Sequence, residues 1–291
     1  MNRNVLFWVL AGVLTVSSAV YQRLTGPTYP VSGTTEVGGH PVKYRLLTSH
    51  STESDAQMDL IVPDTTVRGF VGWKRHKTDD FVSRIIMGRH GDSLRFYLPV
   101  QPPAGKLEYQ VFLVAEKSTL LLPATGPVVI RFKGEVPGYI LYPHILFMFL
   151  AMLFSTRAGL EFFSREPKLK FLVLSTVGLL IVGGGILGPI MQKFAFGEYW
   201  TGWPFGQDMT DNKTVVALLA WIVAAVALYR SKKPWRWALG AAIILFLVYL
   251  IPHSLLGSEL DYKALDEQSM ENHPQMPPNH PQMPPNHPGV K

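Results

Sequence analysis

The chain of 291 residues contains no cysteine. Disulfides are therefore excluded, and any exported domain must take its stability from its own core. Signature motifs are missing as well: no phosphate-binding glycine–lysine loop, dinucleotide-binding glycine pattern, serine-hydrolase elbow or zinc-protease histidine pair occurs. No catalytic residue is assigned on this basis, and a role other than catalysis is the expectation. From Gln22 to Pro137 there is also no apolar run long enough to cross a bilayer. That gap separates one hydrophobic stretch near the start from four in close succession, and this spacing is the most informative feature of the chain.

A hydrocarbon core of about 30 Å needs roughly 20 mainly apolar residues in a helix. Five stretches come close: Val5 to Val20, Ile140 to Phe154 with an amphipathic extension to Phe163, Phe171 to Phe196, Val215 to Tyr229, and Ala238 to Leu256. Lys and Arg in short loops are retained on the cytoplasmic side. Arg165, Lys168 and Lys170 follow the second stretch, and Arg230, Lys232, Lys233 and Arg236 follow the fourth. With Arg3 these define the inner side. The long segment before Pro137, the loop from Phe196 to Thr214 and the tail after Leu256 then lie outside. The first span, residues 1–22, reads as an uncleaved anchor, although Ser17 and Ala19 also fit a cleaved signal. The formal charge of +6 is partly explained by the basic loops, so no nucleic-acid partner is expected.

The outer segment, residues 31–137, reads as β throughout. Lys106 to Ala115 carries apolar residues on both faces, as an inner strand does. Further strands are expected at Val42 to Leu47, Met58 to Val62, Val67 to Lys74, Arg84 to Met87, Leu94 to Leu98 and Val128 to Lys133, with turns at Gly38-Gly39, Pro63-Asp64, Gly91-Asp92 and Pro102 to Gly105. Seven short strands predict an all-β, immunoglobulin-like or fibronectin-like sandwich with Trp73 in its core. The basic run Trp73 to Lys77 reads as a solvated strand end before an anion-binding or docking edge. His40, His50 and His90 read as surface residues.

Residues 138–257 are expected to form a four-helix transmembrane bundle. Gly184 and Gly188 have the small-xxx-small spacing that allows close helix approach, and Arg157 and Glu161 share one helix face near the inner surface. The outer loop from Phe196 to Thr214 concentrates aromatic and acidic residues. Its candidates are Trp200, Trp203, Asp208 and Asp211, with Thr210 or Asp211 placed to cap the following helix. The segment Tyr199 to Phe205 is aromatic but does not reproduce the tryptophan-rich haem-handling motif of cytochrome maturation proteins.

Two histidines within spans each follow proline, His144 and His253. Counting residues from the outer surface places both on the order of 6 Å deep, at one level, where two imidazoles opposed across a bundle suit haem or another metal. Interfacial histidines bonded to backbone are the simpler expectation. The tail, residues 258–291, is expected to be disordered, and from Asn272 onward it repeats NHPQMPP. Its imidazoles and thioethers, His273, Met276, His280, Met283 and His287, suit copper.

Together these features predict a bacterial inner-membrane accessory or assembly protein, whose periplasmic sandwich binds another membrane or periplasmic protein, with metal handling at the outer face as a subsidiary role. The alternative is a membrane redox component holding haem or copper near the outer leaflet. Transport is disfavoured, because the spans carry few charges and no paired broken helices are evident.

Overall fold

The computed structural model describes residues 2–116, 118–206, 208–252 and 257–272. His253 and the metal-ligand candidates from His273 to His287 lie outside the described residues. An N-terminal apolar helix α1 (Arg3–Thr25) leads into a region of eleven strands. These are β1 (Val31–Val37), β2 (His40–Leu46), β3 (Ser49–Ser51), β4 (Ala56–Ile61), β5 (Arg68–Arg75), β6 (Ser83–Ile86), β7 (Gly88–His90), β8 (Ser93–Leu98), β9 (Lys106–Ala115), β10 (Ser118–Leu122) and β11 (Val128–Lys133). They form two open sheets, β1-β2-β4-β8-β7 and β3-β11-β9-β5-β6, with β10 also paired to β9.

Each of the seven expected strands falls within or beside an observed one. The four missed strands are β1, β3, β7 and β10. β3 and β7 are three residues long, and β1 (VSGTTEV) buries only Val37, so neither length nor apolar alternation marks them. β1 is instead held by its turn: Gly38 and Gly39 both have positive φ, which closes the tight hairpin that pairs Val37 with His40.

One apolar core joins the two sheets. Val42, Leu60, Phe96 and Leu98 from the first sheet meet Val71, Leu107, Leu113 and Ile130 from the second. β9 is the inner strand its composition predicts, paired to β5 along one edge and to β10 and β11 along the other. The Tyr109 hydroxyl at its centre donates to the Leu47 carbonyl at 2.8 Å, which removes the cost of burying it. Trp73 is partly buried at the margin of the core; Tyr109, Phe96 and Phe132 are the large aromatics fully inside.

The chain continues into α2 (Gly138–Leu160), a 3-10 turn (Glu161–Phe163), α3 (Leu169–Leu180), a π-helical stretch (Ile181–Leu187), α4 (Gly188–Phe196), α5 (Met209–Arg230), α6 (Pro234–Leu250) and α7 (Tyr262–Asn272). Among the described residues, four helical stretches are long and apolar enough to cross a membrane: Arg3–Thr25, Gly138–Phe163, Leu169–Phe196 and Met209–Arg230. The fifth expected span is the shorter helix α6, whose 17 residues reach only about 25 Å. It stops at Ile251, which precedes Pro252 and has extended backbone, because proline disfavours helix in the residue before it.

The glycine-rich segment does more than the spacing implied. A Cβ at Gly183 would lie 2.9 Å from Phe147 Cβ on α2, and one at Gly184 would lie 2.7 Å from Thr214 Cγ2 on α5. Adjacent glycines thus bring one helix against two neighbours, which the widened π turn permits by rotating successive residues differently. Replacement of Gly183 by alanine is expected to force α2 and α3 apart and to lower the thermal midpoint of the detergent-solubilised protein, whereas Gly178→Ala, which meets nothing within 4 Å, should leave it unchanged.

At the end of the bundle away from the sheets, Arg157 and Glu161 pair at 2.5 Å and are almost fully buried. Arg157 also donates to Asn4 Oδ1 at 2.6 Å and lies over the Phe7 and Trp8 rings, while Arg3 donates to the Phe163 carbonyl. At the other end of α1, the Gln22 amide donates to the Tyr249 carbonyl. The first helix is thereby packed into the bundle at both ends.

The expectation of a disordered tail from residue 258 is corrected for its first part. Residues 257–261 run extended against the sheets, and α7 follows, with Tyr262 only 4 % exposed. The low hydropathy of this segment hid the docking, because most of its contacts are ionic and their partners lie far away in sequence.

Candidate functional site

The outer-loop candidates assemble where the sheets meet the helices. Asp208 is the N-cap of α5, and its carboxylate accepts from the Thr210 amide at 2.7 Å, satisfying one of the free donors of the first helical turn. The same carboxylate accepts from the Ser258 amide at 2.8 Å and the Ser258 hydroxyl at 2.9 Å. One turn further, Asp211 accepts from the backbone amides of Thr201 at 2.7 Å and Gly202 at 3.0 Å, and from the Gln192 side chain at 3.1 Å. Both aspartates are 6 % exposed. Burial alone would raise the Asp208 carboxyl, but the hydrogen bonds from Thr210 and Ser258 hold it below the ordinary aspartate range.

Two cations complete the cluster. Lys213 Nζ donates to the carbonyls of Ile251 at 3.0 Å and Pro252 at 3.4 Å, so it closes the open C-terminal end of α6. Arg131, from strand β11, donates to the Ser258 carbonyl at 2.6 Å and stacks 3.8 Å over the Phe196 ring at the end of α4. Burial pushes the Arg131 guanidinium down to about 10, still cationic at neutral pH. Gly257 is required beside it, since a Cβ there would come within 2.7 Å of the guanidinium. A backbone bond from the Gly134 amide to the Ala195 carbonyl at 2.9 Å adds a further tie between β11 and α4.

Trp200 and Trp203 stand differently from the two aspartates. Trp200 Nε1 donates to the Trp203 carbonyl, and the Trp203 amide donates to Asn212 Oδ1, which fixes the loop. The Trp203 side chain is 77 % exposed, as expected of an aromatic at a membrane–water interface. The structure therefore brings Asp208 and Asp211 together and leaves the two tryptophans to shape and cover the loop. Both carboxylates accept from backbone and side-chain donors, which makes the cluster a clamp between the loop, the start of α5 and the segment at Ser258.

A second set of contacts extends the clamp along the sheet. Glu259 bridges Lys77 at 2.7 Å and Lys106 at 2.6 Å. The Tyr262 hydroxyl accepts from the Lys106 amide at 3.0 Å and lies 3.0 Å from Gln101 Oε1, and burial pushes its phenol up to about 12. Asp266 and Asp80 both grip Arg75 through two bonds each, and the guanidinium lies 5.0 Å over the Tyr262 ring. The basic run read as a solvated strand end is in fact covered by an acidic segment of the same chain.

Sequence reasoning missed Arg131, Gln192, Thr201 and Ser258. Arg131 had a signal, a cation inside the otherwise apolar run Val128 to Phe132; the others are ordinary polar residues until the fold places them. His144 is held by a bond between Nδ1 and the Gly183 carbonyl at 2.9 Å, the backbone-bonded state expected of an interfacial histidine. That carbonyl also accepts the Gly188 amide across the π turn. Among the described residues, no group of three or more His, Cys, Asp or Glu is arranged to hold a metal. Comparison with known families, curated proteins and solved structures finds no match to this chain.

Glu259 supplies a pH test of the strap. Burial raises its carboxyl, but hydrogen bonds from Lys106 and Lys77 hold it down to about 2 from an ordinary 4.5. A depressed folded-state value means that this contribution is complete above 4.5 and is lost as the pH falls towards 2. A fluorophore on a single introduced cysteine, Ser269→Cys, is expected to gain mobility across that window. The gain should shift to higher pH in Glu259→Gln, and a signal flat down to pH 2 would contradict the assignment.

Proposed function

We propose that this chain is a multi-pass protein of a bacterial inner membrane that serves as an accessory or assembly scaffold, holding an immunoglobulin-like sandwich on the periplasmic face for a partner protein to dock on. The observation that carries this reading is the clamp of Asp208, Ser258 and Arg131. A domain that needs only to be tethered is served by a flexible linker, whereas here the second sheet is fastened to two separate helix ends, the N-cap of α5 through Ser258 and the C-terminal end of α4, by polar bonds. Such bonding makes height and orientation definite, and that is what a docking platform requires.

Other features support the arrangement. Arg165, Lys168, Lys170, Arg230, Lys232, Lys233 and Arg236 belong to the turns at the helix ends opposite the sheets, so the positive-inside rule favours an external β region. The outward surface of the helices is apolar, with Val13, Val16, Phe171, Val226 and Leu247 more than half exposed, as suits contact with lipid. The packing of α1 against α2 and α6 favours a retained anchor over a cleaved signal.

The test is a native-gel analysis of membranes from the producing bacterium. A complex larger than the protein itself is expected, and it should be lost in Asp208→Ala while the protein still inserts. Migration only as the free chain would end the scaffold reading. A Soret band in the purified protein that disappears in His144→Ala would replace it with the redox alternative.

A further inference from the structure

The second sheet turns one face to the core and the other outward. On the outward face the strand register aligns Ile86 with Phe70, Phe70 with Phe112, and Phe112 with Leu121, an apolar row across β6, β5, β9 and β10. Phe70 and Phe112 stack with centroids 4.6 Å apart and planes 6° from parallel. Where the row reaches the edge it is bare: Ile86 is 86 % exposed, and Phe81, just before β6, is 88 % exposed. Val82 lies over Gly72, where a Cβ would come within 3.1 Å of its Cγ1, so it extends the same surface. Single exposed apolar residues are ordinary, but a continuous row ending at an open strand is a feature soluble domains usually avoid. β6 is the terminal strand of its sheet.

Neither lipid headgroups nor a second copy of the chain suits this row. Phe112 lies six residues along β9 from Lys106, which pairs with Arg131 at the junction with the helices. At about 3.3 Å per residue the row lies roughly 20 Å along the strand from that junction, which favours a protein over lipid headgroups as its neighbour. A second copy added edge to edge would bring the two Arg84 side chains towards each other across a two-fold axis, an unfavourable like-charge contact. The charged side chains on the outward face of β5 and β6 next to the row are cationic: Arg84 lies 5.2 Å over the Phe70 ring, and Arg68 pairs in register with Val114, while Asp80, beside Phe81, is already paired with Arg75. Among the described residues neither Arg84 nor Arg68 takes part in an ion pair.

We propose that the open edge of β6 receives an extended segment of a partner protein, which adds to the second sheet and sets on the outward face an apolar side chain beside Ile86 and, two residues away, an acidic side chain beside Arg84. Main-chain hydrogen bonds to the unpaired edge provide affinity, and the apolar and acidic residues at successive outward positions provide selectivity. The proposal rests on the scaffold reading and specifies where its partner binds and with what chemistry.

The test uses the full chain in detergent with two short capped peptides that have threonine at the inward positions, one carrying valine and glutamate at successive outward positions, i and i+2, the other carrying lysine in place of glutamate. The glutamate peptide is expected to bind and the lysine peptide not. Arg84→Glu and Ile86→Asp should each weaken binding about tenfold or more. Both side chains are exposed, so an unchanged thermal midpoint verifies the fold of each variant. Equal binding of the two peptides, or binding that neither substitution weakens, overturns the proposal. So does a dimer in sedimentation equilibrium that Ile86→Asp dissociates, because a second copy would then fill the edge. A photocrosslinker at Ile86 and another at Tyr97, on the other sheet, separate this proposal from the reading beneath it. Adducts in native membranes at Tyr97 alone leave the scaffold standing and remove this surface, and adducts at neither position count against both.

Discussion

Replacement of Asp208 by alanine is expected to lower the stability of the whole protein by about 2–3 kcal/mol, from loss of a helix N-cap together with the two bonds from Ser258, of which only the hydroxyl keeps another partner, Thr201. The carboxylate serves the Thr210 amide, the Ser258 amide and the Ser258 hydroxyl at once. Asp208 is only 6 % exposed, so solvent replaces those bonds poorly. Asp208→Asn keeps one acceptor oxygen and should cost less than half as much. Thermal unfolding in detergent measures the difference, and a pair of spin labels across the junction should show a broadened distance distribution only in the alanine variant. If Asp208→Ala falls within about 0.5 kcal/mol of the parent, the range of an ordinary surface substitution, the clamp does not hold the two parts together.

The second large effect is expected at the other end of the bundle. Glu161→Ala removes the partner of a nearly fully buried guanidinium, and stranding such a charge costs on the order of 3–5 kcal/mol. Glu161 also accepts from the Lys168 amide at 2.9 Å, so the turn between α2 and α3 loses its fastening at the same time. Arg157 is the residue that Asn4 and the rings of Phe7 and Trp8 surround, hence release of α1 should accompany the loss. Faster proteolysis within the first turns of α1 would report that release. Replacing both members by apolar residues of similar volume, Arg157→Met with Glu161→Leu, should recover much of the stability, because desolvation of the pair offsets most of its attraction. A double variant as unstable as Glu161→Ala would show that the pair contributes through geometry that hydrophobic packing cannot replace.

Much of the fold was legible because it follows from local pattern. The alternation in Lys106 to Ala115 marks an inner strand, and the length of the apolar runs marks the helices, since each depends only on residues near in sequence. The short strands β3 and β7 were not legible, because three residues carry no period and their pairing is supplied by partners elsewhere. The same limit applies to the site. Asp208 and Asp211 were visible as acidic residues before an apolar helix, but Ser258 looked like the start of a solvated tail, and only its contact with Asp208 gives it a role.

Composition and spacing by themselves determined that this chain has apolar helices flanking a β region, that it builds its core without disulfides, and which helix ends carry the basic charge. Tertiary structure alone decided how the parts are joined. The strap from Gly257 to Asp266 is polar and has no helical or strand period strong enough to announce a docked segment, so nothing local distinguishes it from solvent-exposed chain. Its contacts with Arg75, Lys77, Lys106 and Arg131 span more than a hundred residues of sequence. Pairwise ionic and hydrogen-bond complementarity over that separation leaves no periodic trace in the sequence, and it becomes visible only when folding brings the partners together.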